Sequence, residues 1–230
     1  MKLNNAVAVV TGANRGFGRH LAAQLVERGA KVYGAARRPE TVDVPGVIPL
    51  RLDVTDEASI REAARIASDA TLLINNAGIS TGATLIGGDV TEVRREMETN
   101  FFGPLAATRA FAPVIEGNGG GAVLNVLSVL SWVHPAGLGS YAASKAAAWA
   151  LTGATRDELA PRGIAVSALH VGYMDTDMAA GVPADQKTAA ADVAAQALNG
   201  IETGLTEIVA DAFTQQVKQS LAATPQPTAA

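Results

Sequence analysis

The sequence contains no cysteine and only three histidines, which excludes a disulfide framework and a thiolate metal site and leaves no zinc-binding spacing. Aromatic residues are almost as scarce, at 4% of 230 residues, so Ala, Val, Leu and Gly must build the core. Such small side chains suit close packing of helices on a sheet. Charge is thin, at 17% with a net of -4, and the lack of any Lys/Arg run argues against a nucleic-acid surface. No apolar stretch approaches the ~18 residues of a membrane span, and the first strand begins too early for a cleavable signal peptide. A cytoplasmic chain fits these absences best. What remains, 48% hydrophobic, is too apolar for disorder. Length alone, at roughly 150 residues per domain, leaves one α/β domain or two small ones open.

Apolar runs that are continuous rather than alternating predict strands buried on both faces of a parallel sheet. They fall at Ala6 to Thr11, Lys31 to Ala36, Val47 to Asp53, Thr71 to Asn75, Ala122 to Ser128, Ile164 to His170 and Glu207 to Ala210. Helical spacing fills the gaps at Gly16 to Arg28, Glu57 to Ser68, Val90 to Ile115, Tyr141 to Ala160 and Ala191 to Thr203, and Asp211 to Leu221 reads as a short amphipathic helix. Parallel strands joined by helical crossovers predict a three-layer, doubly wound (Rossmann) α/β domain with about seven strands and helices on both faces. Residues 1 to 221 form one such domain in this reading. The tail Ala222 to Ala230, with two prolines and no apolar period, is expected to be disordered.

The first strand runs into Thr11-Gly12-Ala13-Asn14-Arg15-Gly16-Phe17-Gly18 and then a helix. Without Cβ atoms the backbone can approach a pyrophosphate, whose charge the helix N-terminus meets. Taken alone, the glycines fit a merely tight turn equally well. The second strand sharpens the reading. Sites selective for NAD carry a carboxylate near the end of that strand, whereas here Ala36 is followed by Arg37 and Arg38, with Arg15 in the glycine turn. Guanidinium forks match phosphate geometry, which points to NADP(H), Arg37 and Arg15 being favoured over Arg38 as ligands of the extra phosphate.

Tyr141 and Lys145 stand four apart on one helix face. A phenol, with a reference pKa of about 10, needs a nearby ammonium to act as a base near neutrality. Ser128 ends the fifth strand, at the sheet edge where open α/β proteins bind ligands. With the glycine turn, Asp53-Val54, Asn75-Asn76-Ala77-Gly78, Asn100 and Thr176, these residues resemble the short-chain dehydrogenase/reductase family over nearly the whole chain. The resemblance implies Tyr141 as general acid/base and Ser128 as holder of the substrate oxygen. It implies Lys145 on the nicotinamide ribose, where it also lowers the Tyr141 pKa, and Asn100 keeping a water in a proton relay. Asp53 would meet the adenine amino group, and Asn75 with Gly78 would line the adenosine ribose and shore up the central strands. Gly12, Asn14, Arg15, Gly16, Phe17, Gly18, Arg37, Arg38, Val54, Ala77, Gly172 and Thr176 complete the implied cofactor contacts; no metal is implied. Singly, Ser128 also reads as a strand-end hydroxyl, Asn100 as a cap and Tyr141 as packing.

One departure concerns the turn after the sixth strand, where Val171-Gly172 replaces the family's usual Pro-Gly and the rigid φ of proline is lost. Asp175 and Asp177 flank Thr176, and the segment Met178 to Thr188 makes a short lid. Trp132, Leu138, Tyr173 and Met178 predict an apolar substrate wall for a small ketone, aldehyde or secondary alcohol, although Trp132 and Tyr173 equally fit a role in packing their loops. His134 reads as a surface residue. A 3-oxoacyl reductase and a non-catalytic NADP(H)-binding protein are the alternatives. The resemblance also implies a homodimer or homotetramer through the helices Val90 to Ile115 and Tyr141 to Ala160.

Overall fold

The computed structural model describes residues 1 to 221; the expected disorder of Ala222 to Ala230 lies outside the described residues. Seven strands, β1 (Val7–Thr11), β2 (Lys31–Ala36), β3 (Val47–Arg51), β4 (Leu72–Asn75), β5 (Gly121–Val126), β6 (Ile164–His170) and β7 (Glu207–Val209), form one sheet in the order β3-β2-β1-β4-β5-β6-β7. Every neighbouring pair is parallel. The order reverses between β1 and β4, so the crevice for a ligand opens at their carboxyl ends, where the glycine turn and Asn75 to Gly78 lie.

Successive side chains of the central strands enter opposite layers, as the pleat requires. Val10, Ile74 and Leu124 pack against Leu21, Leu25 and Ala22 of α1 (Gly16–Glu27) and Val193, Ala197 and Leu198 of α6 (Ala190–Thr203). Val9, Leu73 and Val123 face Ile60 and Ala63 of α2 (Glu57–Ile66) and Phe111 and Ile115 of α4 (Gly103–Gly117). Continuous apolar strands are thus explained by two covered faces. β3 is one edge of the sheet, and Pro49, which cannot donate to a ladder, is tolerated there. Gly29, with φ 85, ends α1 in the left-handed region as its position after the last apolar turn predicts.

Two boundaries differ from the sequence reading in ways that matter for the site. The stretch read as one helix from Val90 to Ile115 is α3 (Val90–Met97), a π-turn (Glu98–Phe102) and then α4. Such turns insert a residue and re-aim side chains, and this one carries Asn100. Ser128 does not close β5, which ends at Val126. It begins the next 3-10 turn instead, its hydroxyl accepting a hydrogen bond from the Leu130 amide at 3.1 Å. The remaining long helix, α5 (Gly139–Leu159), starts two residues before Tyr141, and the last, α7 (Ala212–Ser220), starts after Asp211.

Candidate active site

The glycine turn needs its glycines. Gly12 and Gly16 take φ of 69 and 51, which side-chain-bearing residues rarely adopt. A Cβ on Gly18 would collide with the Gly12 carbonyl and come within 2.5 Å of the Asn76 amide nitrogen. Asn76, at the end of β4, donates from Nδ2 to the Thr11 carbonyl at 2.8 Å, while the Thr11 hydroxyl accepts from the Asn76 and Ala77 amides. These bonds lock the turn to the switch point. No side chain caps the N-terminus of α1, so Gly16, Phe17 and Gly18 present first-turn amides around the open cradle beside Asn14. That geometry fits the pyrophosphate of a dinucleotide.

Ala36, Arg37 and Arg38 stand at the end of β2, the arginines exposed and without an acidic partner among the described residues. Arg15 reaches the other way, its guanidinium 3.8 Å from the Asp177 carboxylate with both side chains solvated. Such a screened pair is weak and leaves Arg15 able to swing. At the end of β3, Asp53 accepts from the Thr55 amide and hydroxyl through Oδ1, with Val54 packed against Gly103. Asn75 is tied into the central strands as expected of the structural part of its implied role. It is buried, and both its amide protons are used inside the sheet, by Asn125 Oδ1 at 2.8 Å and Thr108 Oγ1 at 3.2 Å. Its Nδ2 therefore has no proton left for a ribose, whose hydroxyls could only donate to the Asn75 oxygens. Gly78, in contrast, is where a Cβ would press within 3.1 Å of Asn100 Oδ1 and 3.6 Å of Lys145 Nζ.

Tyr141 and Lys145 share one face of α5. The buried Lys145 donates to the Val126 carbonyl at 2.9 Å, and its Nζ stands 5.7 Å from the centre of the Tyr141 ring. No carboxylate among the described residues pairs with it, and burial lowers its pKa to about 8. Burial pushes the Tyr141 phenol above its ordinary value; a hydrogen bond with Ser128 opposes this, and the nearby charge of Glu96 adds to it. Lys145, whose ammonium is turned to the Val126 carbonyl, is not among the groups that move the phenol in the protein alone. Asn100 closes the group. Its Oδ1 accepts from the Ile79 amide, and its Nδ2 donates to the Ile79 carbonyl and the Ser144 hydroxyl, each at 2.9 Å. Its main-chain carbonyl has no α-helical donor, because residue 104 is proline. The Asn-x-x-x-Pro spacing that removes this donor is legible in the sequence.

At the start of α5 opens an apolar cavity of about 750 Å3 lined by Thr84, Leu85, Ile86, His134, Ala136, Gly137, Gly139 and Ala143, with none of Ser128, Tyr141, Lys145 and Asn100 in its wall. Leu138 lies between two of these residues, and Tyr173 and Met178, 44% and 59% exposed, stand on the loop after β6. Trp132 departs from the expectation. It is 8% exposed and stacks on the buried His170 ring at 3.9 Å, so it packs its loop down and lines no part of this cavity.

A family model described as short chain dehydrogenase matches residues 6–187. The chain belongs to the short-chain dehydrogenase/reductase family of oxidoreductases. It is 33% identical over 199 residues to the 3-oxoacyl-[acyl-carrier-protein] reductase of Vibrio cholerae, covering 82% of each chain. It is 36% identical over 177 residues to the NADPH-dependent 1-acyldihydroxyacetone phosphate reductase of Schizosaccharomyces pombe, covering 73% of this chain and 60% of that one. A short chain dehydrogenase from Burkholderia cenocepacia, solved in complex with NADP, superposes with a TM-score of 0.93 at 41% identity over 97% of this chain and 95% of that one.

For a short-chain dehydrogenase with Val171 in place of proline, the turn after β6 is held by other means. The Gly172 amide donates to Asp211 Oδ2 at 2.8 Å, and the same carboxylate caps α7 through the Thr214 amide and hydroxyl. The acids flanking Thr176 are each matched by a cation, Asp175 by Lys187 at 2.9 Å and Asp177 by Arg15. Thr176 itself lies where a Cβ on Gly16 would touch it, so the nicotinamide-side loop and the glycine turn meet across the crevice. Asn76 was named only as part of the Asn75 to Gly78 motif, with no role of its own, and Glu96, His170 and Asp211 were not singled out from sequence, since nothing in their spacing distinguishes them from ordinary polar residues.

Proposed function

We propose that the chain is an NADP(H)-dependent oxidoreductase that moves a hydride between the nicotinamide and a small, mainly apolar ketone or aldehyde, or the matching secondary alcohol. The observation that carries this reading is the meeting of Ser128, Tyr141, buried Lys145 and Asn100 at the carboxyl edge of the sheet, around the helix whose first turns also contribute Gly139 and Ala143 to an apolar cavity. The glycine cradle and the amides opening α1 suit a pyrophosphate, and the unpartnered Arg37 and Arg38, with Arg15, suit the additional phosphate of NADP(H). Gly78, Asp53, Gly172 and Thr176 border the same crevice.

When bound, the dinucleotide supplies the hydride. In the reductive direction Tyr141 donates its proton to the carbonyl oxygen as charge develops there, and Ser128 hydrogen-bonds the same oxygen. Lys145, with a pKa near 8, can return a proton toward the phenolate, and the Asn100 carbonyl can hold the water that connects it to solvent. In the oxidative direction each transfer reverses. A 3-oxoacyl substrate is the second reading, supported by the names of relatives and by the open mouth of the cavity near Leu85 and Ile86, both exposed. Phe102 and Trp149, large apolar groups exposed on the π-turn and α5, support pairing of two copies across these helices.

The test follows NADPH oxidation against a panel of ketones, aldehydes and 3-oxoacyl thioesters. Turnover that depends on Tyr141 is expected. Tight NADPH binding with no turnover of any member would identify a binding protein instead.

A further inference from the structure

Glu96 of α3 is fully buried, and it pairs with no cation among the described residues. A carboxylate in that position is costly unless its oxygens are met by donors. Here they are. Oε1 accepts from the Thr81 amide at 2.5 Å and the Thr81 hydroxyl at 3.0 Å, and Oε2 accepts from the Ser140 hydroxyl. Ser140 is in the first turn of α5, whose N-terminus no side chain caps, so the carboxylate also faces the positive end of that helix.

The arrangement repeats one turn further along. Asn100, four residues after Glu96, bonds Ile79 and Ser144, and Ser144 is four residues after Ser140. Two parallel rungs thus join three segments: the helix through the π-turn, the loop at 79–81 that leads to the cavity wall, and the start of α5. Tyr141 lies between the α5 ends of the two rungs. We propose that Glu96 is a positioning residue for catalysis, fixing Tyr141 and the cavity loop in register and setting the negative charge beside the phenol. The proposal rests on the catalytic reading of Tyr141 given above.

The ionisable groups around the phenol among the described residues are Lys145 on α5 and Glu96 on α3. Of these, Glu96 raises the phenol pKa. Glu96→Gln keeps the shape, since an amide oxygen can accept from Thr81 while its nitrogen donates to Ser140, but it removes the charge. The parent, Glu96→Gln and Glu96→Ala are compared by pH profile of kcat, by NADPH affinity, and by phenolate absorbance of the NADP+ complex with Tyr141→Phe as the blank. Glu96→Gln should shift the Tyr141 titration and the matching limb of the profile to lower pH by roughly half a unit or more, with NADPH affinity kept. Glu96→Ala should lose kcat roughly tenfold with NADPH affinity again kept.

Profiles and titrations of parent and Glu96→Gln that superimpose, or losses in Glu96→Ala confined to folding and NADPH affinity, overturn the proposal. A parent without Tyr141-dependent turnover overturns the catalytic reading separately. The absorbance titration, which needs no substrate, distinguishes the two failures.

Discussion

The two ends of the crevice solve opposite electrostatic problems. At the end of β2, Arg37 and Arg38 are solvated and unpartnered, and Arg15 is held only by a screened pair with Asp177. Around α5, Lys145, Glu96 and His170 are buried, and their polar atoms, apart from one nitrogen of His170, are tied to backbone or hydroxyls. Exposed cations act through a shared, screened field and tolerate replacement of any one. Buried groups act through fixed contacts and have their protonation moved by desolvation. Removing a group should therefore cost far more at the catalytic end than at the phosphate end.

The largest effect expected is in Tyr141→Phe. The ring and its packing survive, while the proton donor and its hydrogen bond with Ser128 are lost. A positioned acid/base contributes roughly 100- to 10,000-fold, so kcat should fall by about a thousandfold with NADPH affinity within a few-fold of the parent. Steady-state kinetics beside fluorescence titration separate the two quantities. A fall in affinity matching the fall in kcat would show that the catalytic end is not the separate unit this comparison describes.

His170 carries the next effect. The Ser131 hydroxyl donates to the Ser128 carbonyl at 2.6 Å, so it can only accept from His170 Nδ1 at 2.9 Å. That fixes the neutral tautomer with its proton on Nδ1 and leaves Nε2 buried without a partner. Burial lowers the folded-state pKa to about 4, against 6.5 when unfolded. The unfolded chain therefore binds the proton first. This stability is complete above pH 6.5 and is lost as pH falls toward 4, by about 3 kcal/mol over the window at 1.36 kcal/mol per unit. Urea midpoints at pH 7 and 4.5 should fall more steeply for the parent than for His170→Asn. Equal slopes would place the acid sensitivity elsewhere.

Much of this was legible in the chain. Continuous apolar runs located all seven strands, and the spacing of Ser128, Tyr141 and Lys145 marked the group proposed here as catalytic. What was missed depends on contacts that spacing does not encode. The π-turn at Asn100 lies inside an unbroken helical pattern. Trp132 fits a pocket wall as well as it fits the stack on His170 that it makes. Glu96 reads as an exposed helical charge until α5 and residue 81 are placed against it. A pair four apart likewise shows that Tyr141 and Lys145 are neighbours but not that the Lys145 ammonium is turned to the Val126 carbonyl.

Gly18→Ala tests the turn between the two ends. Its Cβ meets the Gly12 carbonyl and the Asn76 amide, backbone and a locked side chain that cannot yield cheaply. Overpacking of this kind costs about 1–3 kcal/mol. Loss should appear both in the thermal midpoint and in NADPH affinity, since the same shift moves the α1 amides. Stability lost without affinity would separate the turn from the cofactor.

The smallest change is expected from Arg37→Asp, where the phosphate end is challenged directly. Reversing one exposed charge leaves Arg38 and Arg15 in place, so affinity for NADPH should fall by only about tenfold, the equivalent of about 1.4 kcal/mol. NADH affinity should rise or hold, because a carboxylate there can accept from ribose hydroxyls. The difference should shrink as ionic strength rises past the ~0.1 M at which the screening length is about 10 Å. Unchanged NADPH preference would remove Arg37 from the phosphate site. A loss as deep as that of Tyr141→Phe, and insensitive to salt, would show that the arginine acts through a fixed, desolvated contact, and the contrast between the two ends would fail.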